Sequence, residues 1–220
     1  MSPVSLLRKS ARVAAIVSTL VSAAVPLALA SPAAAEPCSD VEVIFARGTN
    51  DAPGLGRPGQ AFADALTSRL GGRTVSTYAV NYPASYDFLA AADGATDAAN
   101  RIATLASSCP STRVVLGGYS QGAAVVDMLA GIPPLGNRVG EVGSAPPLAG
   151  NLVPQVAAAV AFGNPSAKFG IPLTSSVFGG KAIDICKDGD PICSRGRNPF
   201  AHSDYVGMAD QAANFVAGIV

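Results

Sequence analysis

With one histidine, no tryptophan and charged side chains at only 14% of positions, this 220-residue sequence has little material for several kinds of protein. A nucleic-acid binder needs a basic face, whereas here 15 Lys and Arg are matched by 15 Asp and Glu. Three of those cations (Arg8, Lys9 and Arg12) lie before residue 36, and every acidic residue lies beyond residue 35. The remainder of the chain therefore carries a net charge of −3, and no nucleic-acid partner is expected. Cysteine is scarce too: there are four, none in a C-x-x-C. That departs from zinc-ligand spacing, and the one histidine is needed elsewhere, so no metal is expected. Repeats, low-complexity linkers and a second long apolar run are all missing. The 23 glycines and 17 prolines indicate a compact chain with many loops rather than a disordered one.

The one long apolar run opens the chain. After the basic cluster, Val13 to Ala30 is apolar apart from Ser18, Thr19, Ser22 and Pro26, and it leads to Ala33-Ala34-Ala35. This is the pattern of a secretory signal peptide over residues 1–35, cut after Ala35. An uncleaved anchor is the rival, since the run is near the length a membrane span needs; Pro26 and the alanine-rich end favour cleavage. One domain, 36–220, of 185 residues remains, long enough for a full core. The protein is then secreted and soluble, with or without retention at the cell wall. An even number of cysteines in an exported chain argues for two disulfides. Three pairings are possible. Cys186 and Cys193 are close enough to close a small loop, which would leave Cys38 with Cys109.

Strand and helix patterns alternate along the domain. Val41–Ala46, Thr74–Val80, Arg113–Leu116, Val156–Phe162 and Ala182–Ile185 read as short strands. Pro58–Leu70, Asp93–Ser107, Ser120–Leu129 and Asp204–Val216 read as helices, and Pro133 to Pro154 as a long loop. Such alternation implies a parallel sheet covered on both faces. The expected class is α/β: a three-layer, α/β-hydrolase-type sandwich with a central, mostly parallel five-stranded sheet and no large lid.

Gly118-Tyr119-Ser120-Gln121-Gly122 is a G-x-S-x-G between an apolar strand and a helix, the context in which this motif presents a nucleophile on a sharp turn. The flanking glycines remove side chains that would collide there. The helix N-terminus behind Ser120 offers unpaired N–H groups to an oxyanion. An ordinary glycine-rich turn with Ser120 as helix cap is the bland alternative. A serine nucleophile needs a base that titrates near neutrality, and histidine is the side chain that does so unperturbed. His202 is the one candidate, and it follows every predicted strand, as the Ser–Asp–His order requires. Asp184, Asp188 and Asp190 lie between them as possible orienting carboxylates. The last two sit between Cys186 and Cys193, and spacing does not choose between them.

These motifs resemble the cutinase family of serine esterases, and its mycobacterial branch in particular. The resemblance covers essentially the whole domain. It rests on Cys38, FARGT at Phe45–Thr49, VNYPAS at Val80–Ser85, GGYSQG at Gly117–Gly122, FGNP at Phe162–Pro165 and CKDGDPIC at Cys186–Cys193. It implies a catalytic set of Ser120, Asp190 and His202, with Asp190 as the aspartate of the C-x₃-D-x₂-C loop. It also implies an oxyanion hole of Thr49 and Gln121, disulfides Cys38–Cys109 and Cys186–Cys193, and no cofactor. Fungal members carry Ser where Thr49 stands; Thr keeps both the N–H and the hydroxyl, and its methyl narrows the acyl site. The expected activity is hydrolysis of short- to medium-chain acyl, lipid or polyester esters by a monomer that touches lipid surfaces transiently. Leu89, Phe178, Ile183 and Phe200 are expected to rim an open cleft. Two rivals keep the same scaffold: an acyltransferase acting on cell-envelope glycolipids, and a non-catalytic binding protein, which would have lost a member of the triad.

Overall fold

Five apolar segments pair into one sheet. They are β1 (Val41–Ala46), β2 (Val75–Ala79), β3 (Arg113–Tyr119), β4 (Val156–Phe162) and β5 (Ala182–Ile185). Their order is β2-β1-β3-β4-β5, and every neighbouring pair is parallel. The coordinates are a computed structural model that describes residues 37–136 and 142–220. The predicted leader and its cleavage point lie outside the described residues.

Period-two alternation assigns each strand residue to one of two cores. Val41, Val43, Phe45, Val115, Val160 and Phe162 face α1 (Gly56–Arg69) and α5 (Ala209–Ala217). Ile44, Ala46, Leu116, Ala159 and Ala161 face α2 (Ala91–Ser108) and α3 (Gln121–Leu129). Phe45 anchors the first core. Its ring lies 6.4 Å from that of Phe62 and 6.2 Å from that of Phe162, and all three side chains are fully buried. Burying each contributes about 1.5–3 kcal/mol. Two glycines make room for it: a Cβ on Gly59 or Gly117 would stand 2.5 or 2.6 Å from the Phe45 ring. Gly117 and Gly118 therefore continue β3, and the strand runs to Tyr119, three residues beyond the sequence expectation.

The other boundaries shift for local reasons. Residues 206–208 form a separate 3₁₀ turn, so α5 starts five residues later than the apolar pattern suggested. A four-residue helix, α4 (Pro199–His202), was not anticipated; Asn198 caps it by accepting from the Phe200 amide at 3.1 Å. Because β1 has β2 on one side and β3 on the other, the chain reverses its winding direction there. Ligands of open α/β sheets bind at such a switch point, beyond the carboxyl ends of the strands.

Cys38 and Cys109 are bonded, as are Cys186 and Cys193, with sequence separations of 71 and 7. The longer loop removes more freedom from the unfolded chain: in the chain-entropy model about 4 kcal/mol against about 2 kcal/mol. Replacing Cys38 and Cys109 together by Ser should therefore lower the melting temperature more than replacing Cys186 and Cys193. Paired thermal melts at one pH measure this, and an equal or reversed ranking would refute it.

Candidate active site

The end of β3 meets the start of α3 in a turn that few residues can make. Ser120 has φ 55° and ψ −114°, a strained conformation for a residue with a side chain. The turn also brings backbone against backbone. A Cβ on Gly118 would stand 2.1 Å from the Gly122 carbonyl oxygen, and one on Gly122 would stand 1.9 Å from the Ala46 carbonyl oxygen. Both glycines of the G-x-S-x-G are thus demanded by contact. The Ser120 amide donates to Phe162 O at 2.9 Å, fixing the turn to the end of β4.

The structure brings Ser120, His202 and Asp190 together. Ser120 Oγ lies 2.8 Å from His202 Nε2, and His202 Nδ1 lies 2.8 Å from Asp190 Oδ2. An ionised carboxylate only accepts hydrogen bonds, so Nδ1–H donates to Asp190 and Nε2 is left to accept from the serine hydroxyl. Asp190 is fully buried. Burial pushes its carboxyl pKa up, but hydrogen bonds from His202, Tyr205 and the Ile192 amide outweigh this and hold it below the ordinary carboxylate value. The disulfide loop fixes its backbone: the Asp190 amide donates to Lys187 O, and the Ser194 hydroxyl donates back to Asp190 O at 2.5 Å. Of the other acidic residues considered, Asp188 is exposed. Asp184 accepts from Asn164 Nδ2 at 2.7 Å and from the Thr174 amide.

Two tyrosines that the motifs did not single out support the histidine and its partner. Tyr119 stacks on the imidazole at 5.3 Å and donates its hydroxyl to His202 O at 2.6 Å. Burial, with Asp51 and Asp190 nearby, pushes its phenol up to about 12. Tyr205, fully buried, donates to Asp190 Oδ2 at 2.5 Å, and burial together with that bond raises its pKa. Both therefore remain O–H donors at neutral pH. Tyr119 stands inside the quoted GGYSQG. Tyr205 had no local signal, lying in a stretch read only as helix.

Thr49 and Gln121 face each other across the cleft, with Thr49 Oγ1 donating weakly to Gln121 Oε1 at 3.5 Å. Among the described residues neither backbone amide donates to another protein group. Arg47 holds the Thr49 turn in place. Its guanidinium donates to the carbonyls of Tyr82 (2.6 Å), Pro83 and Asp51, while Tyr82 Oη donates to Arg47 O at 2.5 Å. Gln121 Nε2 reaches Ser85 O at 3.1 Å. FARGT and VNYPAS are thus two halves of one clamp.

The cleft above Ser120 has a volume of about 470 Å³, and its apolar lining includes Tyr86, Phe88, Leu135, Val142 and Ile192. This corrects the expected rim. Phe178 and Ile183 belong to the two cores, Ile183 through its place in β5 and Phe178 from the turn that precedes that strand. Leu89 lines an adjoining groove, and Phe200 is 83% exposed and outside the cleft lining.

Behind the nucleophile lies a polar cluster that the sequence did not announce. Asp127 on α3 is fully buried and accepts from Asn164 Nδ2 at 3.1 Å, while its Oδ2 has no partner. Burial holds its carboxyl well above the ordinary range. The folded pKa exceeds the unfolded one, so the group favours folding most at low pH and costs stability as pH rises toward the folded value. Asp127→Asn, which cannot ionise, should therefore raise the melting temperature at pH 8 relative to its effect at pH 4.5. Melts of both proteins at the two pH values test this, and an equal change at both would refute it.

Comparison with known proteins supplies the family. A family model described as Cutinase matches residues 37–220. Phospholipase Culp4 of Mycobacterium tuberculosis is 51% identical over 193 residues, which span 86% of this chain and 82% of that one. Carboxylesterase Culp1 of the same species is 44% identical over 229 residues, spanning 99% and 97%. Among solved structures, a Trichoderma reesei cutinase in complex with a phosphonate inhibitor matches with TM-score 0.67 and 37% identity over 83% of this chain and 77% of that one. A domain-long family match, relatives this similar and an undistorted esterase scaffold lead to one conclusion: the chain belongs to the cutinase family and is a carboxylic ester hydrolase.

Proposed function

We propose that the protein is exported with loss of residues 1–35 and hydrolyses acyl and lipid esters, as a monomer, through an acyl-enzyme on Ser120. The observation that carries this is the unbroken chain of 2.8 Å contacts from Ser120 Oγ through His202 to a buried Asp190. His202 Nε2 takes the hydroxyl proton as Ser120 attacks the ester carbonyl, and Asp190 stabilises the imidazolium that forms. The Thr49 and Gln121 amides, unpaired among the described residues, supply donors for the oxyanion. The imidazolium then protonates the departing alkoxide. Water, activated by the same imidazole, releases the acid and restores Ser120.

The apolar lining of the cleft suits an acyl chain, and the surface around it suits a lipid aggregate. Tyr86, Phe88 and Leu89 stand exposed in one segment near the cleft, and Ile192, Phe200 and Val206 in another. Clustered exposed apolar side chains mark contact surfaces. The relatives described above, a phospholipase and a carboxylesterase, support the same substrate range. No described helix is long and apolar enough to cross a membrane. All three triad residues come from one chain, so the site requires no second copy.

Ser120→Ala should lose several orders of magnitude in kcat on p-nitrophenyl butyrate. A fluorophosphonate should add to the wild-type protein and not to the variant, and the intact mass of the exported protein should begin at Glu36. Retained turnover in Ser120→Ala would exclude the serine mechanism. Products run with and without a sugar acceptor would expose acyl transfer in place of hydrolysis.

Replacing Cys186 and Cys193 together by Ser should cut kcat at least tenfold, a rough figure for a misplaced orienting group, with KM little changed. The bond closes the loop that fixes Asp190, and lost orientation weakens the transition state more than the ground state. Near-full kcat would mean that the hydrogen bonds of Asp190 suffice without the bond.

A further inference from the structure

A second cavity, of about 540 Å³, lies beside the catalytic cleft and differs from it in character. Its lining includes two cations, Lys168 and Arg195, together with Phe169, Ile171 and the backbone of Gly136 and Gly170. Among the described residues no carboxylate lines it, and neither cation, both of them exposed, takes part in an ion pair. Two cations on one cavity give it positive character in a domain whose net charge is −3.

Both cations are mounted on segments that hold the catalytic site. Lys168 Nζ donates to Pro191 O at 2.7 Å, between the triad residue Asp190 and the cleft residue Ile192. Arg195 follows Ser194, whose hydroxyl donates to Asp190 O. Gly136 borders the cationic cavity, and its neighbour Leu135 lines the catalytic cleft. The groove that contains Leu89 shares Leu135 with the catalytic cleft and Gly136 with the cationic cavity, and its lining is largely apolar. A substrate with its ester at Ser120 thus has both apolar and cationic surface in the bordering loops.

We propose that Lys168 and Arg195 form a subsite for the anionic headgroup of the ester lipid being hydrolysed, a phosphodiester without a cationic partner being the group of fitting charge. The inference rests on the esterase reading above and adds a substrate class to it: anionic amphiphilic esters are preferred over zwitterionic ones of the same acyl length. A guanidinium binds two phosphate oxygens in a fork, and the ammonium adds a point charge beside it. A choline headgroup would bring its own cation against both.

The test uses dihexanoyl phosphatidylglycerol and dihexanoyl phosphatidylcholine as monomers below their micellar concentrations, so that no lipid surface is present. The readout is the ratio of their kcat/KM values within one protein, in which any loss of folding or triad geometry cancels. Wild type should favour the glycerol lipid by about three- to tenfold, as partly exposed charge pairs allow, and added salt should shrink the ratio. Lys168→Gln/Arg195→Gln should bring it to about one, and Lys168→Glu/Arg195→Glu should push it below one, both as charge complementarity requires. A wild-type ratio of one, or a ratio unmoved by either double variant, would overturn the headgroup subsite. If p-nitrophenyl butyrate is hydrolysed and neither lipid is, the subsite fails while the esterase reading stands. Loss of butyrate turnover in wild type would instead remove the esterase reading.

Discussion

The approach of Gly122 to the carbonyl of Ala46 is the contact on which the site depends. It lets the N-terminus of α3 lie directly over the end of β1, closer than any side chain would permit. Ser120, at the tip of β3, and Thr49, just after β1, are brought to face the same space as a result. The strain at Ser120 is sustained because the turn is fixed from several directions: its amide to β4, Gly118 against Gly122, and Gly117 beneath the Phe45 ring. The phenylalanine cluster below the sheet is therefore linked to the geometry above it. A change in the packing of Phe45 would reach Ser120 through Gly117.

The acid end of the triad is built on a different plan. Asp190 comes from an irregular loop rather than a strand end, so no sheet register holds it. A short disulfide, a serine hydroxyl on its own carbonyl and three donors on its carboxylate take that role. Tyr205 links this loop to the helical core, because one side chain both fills the space under the histidine and donates to the aspartate. Burial would otherwise favour the protonated acid. The number of donors decides the sign, and the carboxylate stays charged where an imidazolium will need it.

Much of this was legible in the sequence, and the limits have physical causes. Strands such as VEVIFA and VAAAVAF are apolar because both faces are covered, and the G-x-S-x-G is readable because each glycine answers a contact. Gly117 and Gly118 misled on the length of β3, since glycine suggests a turn until one knows that a phenylalanine ring and a helix terminus occupy the missing side chains. Phe178 and Ile183 were placed at the rim by chain position alone, yet sheet alternation takes Ile183 inward and the turn before β5 buries Phe178. The roles of Tyr205 and Asp127 were not visible, because each depends on a partner more than ten residues distant, and the α4 turn under His202 is too short for a helical period to show. The choice among Asp184, Asp188 and Asp190 was not open to spacing. It came from family resemblance, and in the structure it corresponds to which carboxyl turns toward the histidine.

The cleft lies open over Ser120 among the described residues, and this bears on where its catalytic power originates. Enzymes that close over a substrate use closure to exclude water and strengthen the electrostatics inside. Here the component most sensitive to water, the carboxylate, is already dry, while the imidazole side chain keeps 18% exposure and the serine faces the cleft. In the proposed mechanism, permanent burial of Asp190 takes the place of closure for the charged partner of the histidine. The amides of Thr49 and Gln121, braced by Arg47 and Tyr82, take the same part there for the oxyanion. An arrangement preorganised in this way does not need to wrap its substrate. Under the proposed function it suits esters presented at a surface or carried on a large molecule.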